Sequence, residues 1–171
     1  MTSFPDVIRL GSHDGAMAGA LAGVLRPYGL ALEYVAPTAT IPGSYWGDSE
    51  AGLIGHRLLV RDDTPVHSAL HEACHFICAD VSRRTSIDTD AGGDDLEECA
   101  VCYLSIVLAE TLPAFGRTRM LADMDAWGYS FRLGTARDWF AADAVDARDW
   151  LIAQGVIDHA LQPTGCCASG L

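Results

Sequence analysis

The sequence contains no lysine and no asparagine: its eleven basic residues are all arginine, set against 23 acidic ones, for a formal net charge of −12 over 171 residues. That shortage of positive charge excludes partners that depend on it. An acidic excess of this size repels phosphate backbones and anionic lipid, so neither nucleic acid nor a membrane surface is expected as a partner. Long hydrophobic runs are missing as well. The most apolar stretch, Cys99 to Ala109, falls well short of the about 20 residues that span a bilayer. Met1 to Gly11 lacks the basic-then-apolar design of a secretion signal. A soluble, cytoplasmic protein is the expectation. There is no internal repeat, no Gly-rich phosphate loop and no G-x-S-x-G, so nucleotide binding and serine hydrolysis have no footing.

What the chain does have is apolar bulk. Half of its residues are hydrophobic and its mean hydropathy is +0.17. At this length one domain, residues 1–171, buries roughly two-thirds of its unfolded surface. The six cysteines fall in three pairs, Cys74/Cys78, Cys99/Cys102 and Cys166/Cys167. The first two pairs lie in apolar, helix-like segments and read as small core residues. A four-cysteine zinc cluster would need Cys99 and Cys102 on a loop, and the pattern puts them mid-helix. The third pair lies in a tail of small residues, 161–171, expected to be mobile.

The spacing predicts a short Ala-rich helix over Gly15 to Arg26, stopped by Pro27 and Gly29, then strands over Leu30 to Val35 and Leu53 to Arg61 with a Pro/Gly loop between them. Thr64-Pro65 reads as a helix start, with Thr64 as cap and Pro65 in the first turn, and that helix should reach about Arg83. After the polar loop Thr85 to Gly93, Asp94 or Asp95 opens a second apolar helix that runs to about Thr111. Two or three shorter helices follow over Ala114 to Val156. The fold class expected is α+β, helix-rich, with a small sheet preceding the central helix.

On the Pro65 helix sits His71-Glu72-Ala73-Cys74-His75, an H-E-x-x-H match. Residues four apart on a helix differ by about 40° in azimuth and ~6 Å along the axis, so both imidazoles point to one side and can share a metal. Glu72, offset by one residue, can meet a water on that metal. Two histidines do not complete a site, because zinc usually takes three protein ligands and a water. The third ligand is expected from the next helix, where Glu97 and Glu98 compete. Glu97 has Ala100 at i+3 and Tyr103 at i+6, a small neighbour that would let the helix approach the metal, and it is favoured. Its competing role is a capping box with Asp94.

The run from Leu53 to Pro113, a strand, an H-E-x-x-H helix and a second helix bearing a glutamate, resembles a compact gluzincin metallopeptidase core. In several gluzincin families the ligand glutamate is followed by Ala at i+3 and an aromatic at i+6, as Glu97, Ala100 and Tyr103 are here. The pattern departs at Val101, where many gluzincins carry Asp or Asn. That resemblance implies a zincin-like core with Zn2+ on His71, His75 and Glu97 and with Glu72 as the catalytic base. A second stretch, Ser68-Ala69-Leu70-His71-Glu72 through His75-Phe76, Ala79 and Arg83-Arg84, resembles the metal-binding helix of the elongation factor P hydroxylase family. It implies Fe2+ instead, since two histidines and a carboxylate also suit non-haem iron.

Around this motif, His67 reads as a solvated histidine, while His56, Tyr45 and Tyr129 are equal candidates for a transition-state donor. Arg83-Arg84 suits the end of a helix dipole. Trp127, Trp139, Trp150 and Phe140 read as core anchors. The expected activity is peptide hydrolysis, in which the metal polarises the carbonyl and activates water and Glu72 carries its proton to the leaving amine. The Leu53 to Arg61 strand would hold a peptide or protein substrate by edge pairing. The alternatives are iron-dependent hydroxylation of a protein side chain and a non-catalytic, metal-stabilised binding module.

Overall fold

Two apolar helices carry the core, and a small sheet and five shorter helices close around them. The computed structural model describes residues 6–12 and 14–170, which form an α+β fold of seven helices and one three-stranded sheet. Five residues of the N-terminal stretch, His13 of the expected first helix start, and Leu171 of the tail lie outside the described residues. Helix α1, Ala16–Leu25, buries Met17, Leu21 and Leu25 on one face, as four-residue spacing requires. It tightens into a single 3-10 turn at Arg26–Tyr28, and Gly29, at φ +77°, releases the chain into β1, Ala31–Tyr34.

The single strand expected over residues 53–61 is instead a hairpin. β2, Gly52–Ile54, pairs antiparallel with β3, Arg57–Val60, and Gly55 turns the chain at φ +53°. A run apolar on both sides of a two-residue turn hides that turn from a pattern reading. β3 is central, and β1 runs parallel to it with Ala31 opposite Arg57 and Tyr34 opposite Val60. The outer edge of β2 is already occupied. Leu53 N–H donates to the Gly43 carbonyl at 3.1 Å, and the Leu53 carbonyl accepts from Thr89 N–H at 3.0 Å. Edge pairing of a substrate on this hairpin, expected from the sequence, therefore finds no free strand on the β2 side.

Gly52 is fixed by this crossing of chains. A Cβ there would lie 1.9 Å from the Pro42 carbonyl oxygen, well inside contact distance and against backbone. Gly52→Ala should therefore destabilise the fold by about 2–4 kcal/mol, lowering Tm by roughly 5–15 °C in a thermal melt; an unchanged Tm would mean the loop at Pro42 moves freely.

Helix α2, Val66–Cys78, buries eleven of its thirteen residues, and the two left partly open are His71 and His75. Its start differs from expectation: Pro65 is extended at ψ 139° and precedes the helix, and the Thr64 hydroxyl accepts from Arg61 N–H at 2.9 Å rather than from the first turn. Its end is also earlier, at Cys78. Ala79 is extended, and the Asp80 carboxylate accepts from Ser82 and Arg83 N–H, which starts a separate turn of helix α3, Val81–Arg84. Helix α4, Asp95–Ala109, opens as expected on Asp94, whose carboxylate accepts from Glu97 N–H at 2.9 Å. Every residue from Ala100 to Ala109 is buried, where α4 lies along α2 and α7.

The C-terminal part holds α5, Gly116–Trp127, α6, Ala136–Ala142, and α7, Val145–Ala153. Trp139 is a core residue, whereas Trp127 and Trp150 are only partly buried. The tail is tied down where mobility was expected. Ala168 N–H donates to the Ile77 carbonyl at 2.8 Å, the Ala168 carbonyl accepts from Arg84, and Gly170 N–H donates to the Gln154 side chain at 2.9 Å. Small residues let the backbone come that close to the end of α2. Among the described residues no helix is long and apolar enough to cross a membrane.

Candidate metal centre

The open face of α2 presents His71 and His75 with their Nε2 atoms 3.2 Å apart. A carboxylate from α4 leans over both: Glu98 Oε1 lies 3.2 Å from His71 Nε2, and its Oε2 lies 3.4 Å from His75 Nε2. Metal–ligand bonds of about 2.0–2.1 Å in a tetrahedral shell place neighbouring donors about 3.3 Å apart. His71 and His75 hold that spacing, each beside a different oxygen of Glu98, and a Glu72 oxygen also lies within 4.8 Å of a donor nitrogen of each histidine, so the two histidines with a carboxylate could hold a metal ion.

Burial and these contacts set the ionisation of the group. Burial works to lower the pKa of His71, but hydrogen bonds with Cys102 and Glu98 outweigh it and hold it well above the usual value. Burial and then the charge on His71 push His75 down to about 4. The hydrogen bond from His71 also holds Glu98 low. The group thus keeps a proton on His71, shared with the Glu98 carboxylate, and leaves His75 neutral; an ion bound here would take the place of that proton.

Glu97, favoured from the sequence as third ligand, is not at this centre. Its carboxylate turns the other way, onto the Arg83 guanidinium, and Gly93 leaves room for it: a Cβ on Gly93 would lie 2.7 Å from Glu97 Oε1. One residue along a helix is a rotation of about 100°, and that rotation sends Glu97 to α3 and Glu98 to the histidines. The Ala100 neighbour that favoured Glu97 is fully buried within the helix packing. The capping role is half realised, because Asp94 accepts from Glu97 N–H but the Glu97 side chain goes to Arg83.

Glu72 is 6% exposed, lines the same cleft, and has no hydrogen bond or ion pair among the described residues. Burial raises it to about 7, with His71 pulling the other way and Glu50 adding to the rise. Beside it a cavity of about 360 Å³ is lined by Glu50, His71, Glu72, Glu98, Trp127 and Tyr129 among others. Two of these, Glu50 and Trp127, had not been singled out for the site from the sequence. The Trp127 indole N–H donates to Glu50 Oε1 at 2.6 Å across 77 residues, a separation no local pattern reports.

No family model, curated protein or solved structure matches this chain. Of the three donor candidates, Tyr129 is the one beside the histidines, its ring edge-on to His71 at 5.7 Å. Burial holds its hydroxyl protonated. Tyr45 stands on the rim and is more than half exposed, and His56 is exposed at the β2–β3 turn. His67, expected in solvent, is fully buried: its Nδ1 shares a hydrogen bond with the Tyr129 hydroxyl at 3.2 Å, and burial pushes its pKa down to about 3.

The cysteines are all free. Cys74, Cys78 and Cys102 are buried as expected, and the one cysteine grouped with other potential ligands is Cys102, near His71 and Glu98. The Nδ1 atoms of His71 and His75 are buried without partners among the described residues. A carboxylate or carbonyl in that position usually orients a ligating histidine; here the polar contacts of both imidazoles run through Nε2.

Proposed function

We propose that the protein is a metal-dependent hydrolase, a zinc metallopeptidase in its simplest form, with His71, His75 and Glu98 holding the ion. The observation that carries this reading is the pair of histidine nitrogens 3.2 Å apart, each with a Glu98 oxygen at 3.2–3.4 Å, beside a buried carboxylate, Glu72, that has no hydrogen bond or ion pair among the described residues. When bound, a divalent ion supplies Lewis acidity toward water and a carbonyl oxygen. Glu72 takes the proton of the attacking water and delivers it to the leaving amine. The Tyr129 hydroxyl, held by His67, donates toward the oxygen on which charge develops.

The second reading, hydroxylation by non-haem iron, draws on the same two histidines and one carboxylate. Two residues of the segment that suggested it have scaffold tasks here. The Ser68 hydroxyl accepts from Ala51 N–H at 3.0 Å, and Arg84 donates to the carbonyls of Phe76, Ala79 and Ala168. An unpaired Glu72 favours hydrolysis, which needs a base at that place.

The test is metal identification on anaerobically purified protein followed by an unbiased peptide-library digest. Zinc bound in one-to-one ratio with cleaved peptides supports the reading. Bound iron, intact peptides and a product one oxygen atom heavier under air would replace it with hydroxylation, and absence of any bound metal would remove both.

A further inference from the structure

The hydrolytic reading gives Glu98 to the metal and Glu72 to the proton, and leaves a third carboxylate in the cavity without a task. Glu50 sits in the loop before β2 and is only partly exposed. Its Oε1 is anchored by the Trp127 indole N–H, while its Oε2 has no partner among the described residues. Among the described residues no arginine lines the cavity. Burial raises the pKa of both Glu50 and Glu72, the response of carboxylates sheltered from water with no cation to face them, and a cation entering the recess relieves that cost.

The same cavity supplies a second observation. Trp46 is 72% exposed, braced edge-on by Tyr45 at 5.2 Å, and lines this cavity. An indole left in solvent at the mouth of an acidic recess is the surface over which an ammonium or guanidinium group settles favourably. A volume of about 360 Å³ lies at the low end of the about 300–1,000 Å³ of ligand pockets, room for one long side chain.

We propose that this cavity selects substrates through a cationic side chain, arginine or lysine, whose charged head pairs with Glu50 and whose stem lies against Trp46. The inference rests on the reading of this cleft as the substrate site. Glu50 is then a specificity residue that Trp127 holds in place. A net charge of −12 adds long-range attraction for the same basic peptides.

The test is direct binding rather than turnover. Nα-acetyl-arginine amide is titrated into the protein at low salt, with and without zinc, against its neutral isostere Nα-acetyl-citrulline amide, with tryptophan fluorescence as the readout. Saturable binding of the arginine compound alone is expected, weakened roughly 10- to 100-fold in Glu50→Gln and unchanged in Glu33→Gln, which removes the same charge from strand β1. Equal binding of the citrulline compound, no saturation by the arginine compound, or equal weakening in both variants would overturn the proposal. So would a second equivalent of zinc lost in Glu50→Gln, which would make the recess a metal site. Failure of peptide cleavage with arginine binding intact removes the hydrolase reading alone, and cleavage without charge preference removes this inference alone.

Discussion

Glu72→Gln should retain the metal content and the melting temperature of the wild type while turnover falls by about 10²–10⁴-fold. The substitution keeps shape and removes only the ability to take a proton. Glu72 makes no hydrogen bond or ion pair that the amide would break, so folding has little reason to respond. Its carboxylate lies within 4.8 Å of a donor nitrogen of each histidine, but glutamine keeps an oxygen in that place, so metal loading should change little. Cleavage of a peptide substrate and metal stoichiometry, measured on the same preparations, check it. Unimpaired turnover would move the base elsewhere in the cleft, with Glu50 the remaining carboxylate. A wild-type protein that binds metal but turns over nothing would return the molecule to the class of metal-stabilised binding modules, where a carboxylate beside the ligands has no work to do.

The second large effect separates two adjacent glutamates. Glu98→Ala should weaken zinc binding by about 100-fold or more, because it removes one of three protein donors from a site worth about 10 kcal/mol or more. Glu97→Ala should leave zinc affinity within about tenfold of wild type and act on stability instead. Glu97 is 9% exposed and paired with Arg83, so its loss leaves a partly covered guanidinium with only the longer 3.7 Å contact to Asp80, at a cost of about 1–2 kcal/mol and roughly 2–8 °C in Tm. Competition with a chromophoric chelator gives the affinities and thermal melts give the stabilities. The opposite assignment, with zinc lost in Glu97→Ala and kept in Glu98→Ala, would restore the ligand expected from the helix pattern and overturn the geometry described here.

The contrast between those residues marks how far local pattern reaches. The placement of His71 and His75 on one face follows from helical periodicity alone, since a shift of four residues returns the chain to nearly the same side whatever packs against it. The helix itself was legible in its apolar neighbours Leu70, Phe76 and Ile77, and α4 in its run from Ala100 to Ala109. Boundaries were less legible. The stop at Cys78 depends on Asp80 capping a new turn, and the hairpin at Gly55 depends on a positive φ that several glycines in this chain share. Both were decided by backbone hydrogen bonds that a smooth hydrophobic pattern does not reveal.

By itself, then, the sequence determined the class of the fold, the helix that carries the histidine pair and the acidic character of the molecule, because each arises from composition or from repeats of a few residues. The tertiary structure alone decided which glutamate faces the histidines, because that turns on the rotation of α4 against α2, where 100° separates neighbours and Arg83 claims the other carboxylate. It also decided that Glu50 and Trp127 meet beside them and that His67 is buried behind Tyr129. Those contacts join segments far apart in the chain through side chains whose local surroundings are ordinary, and only the packing of the folded chain brings them together.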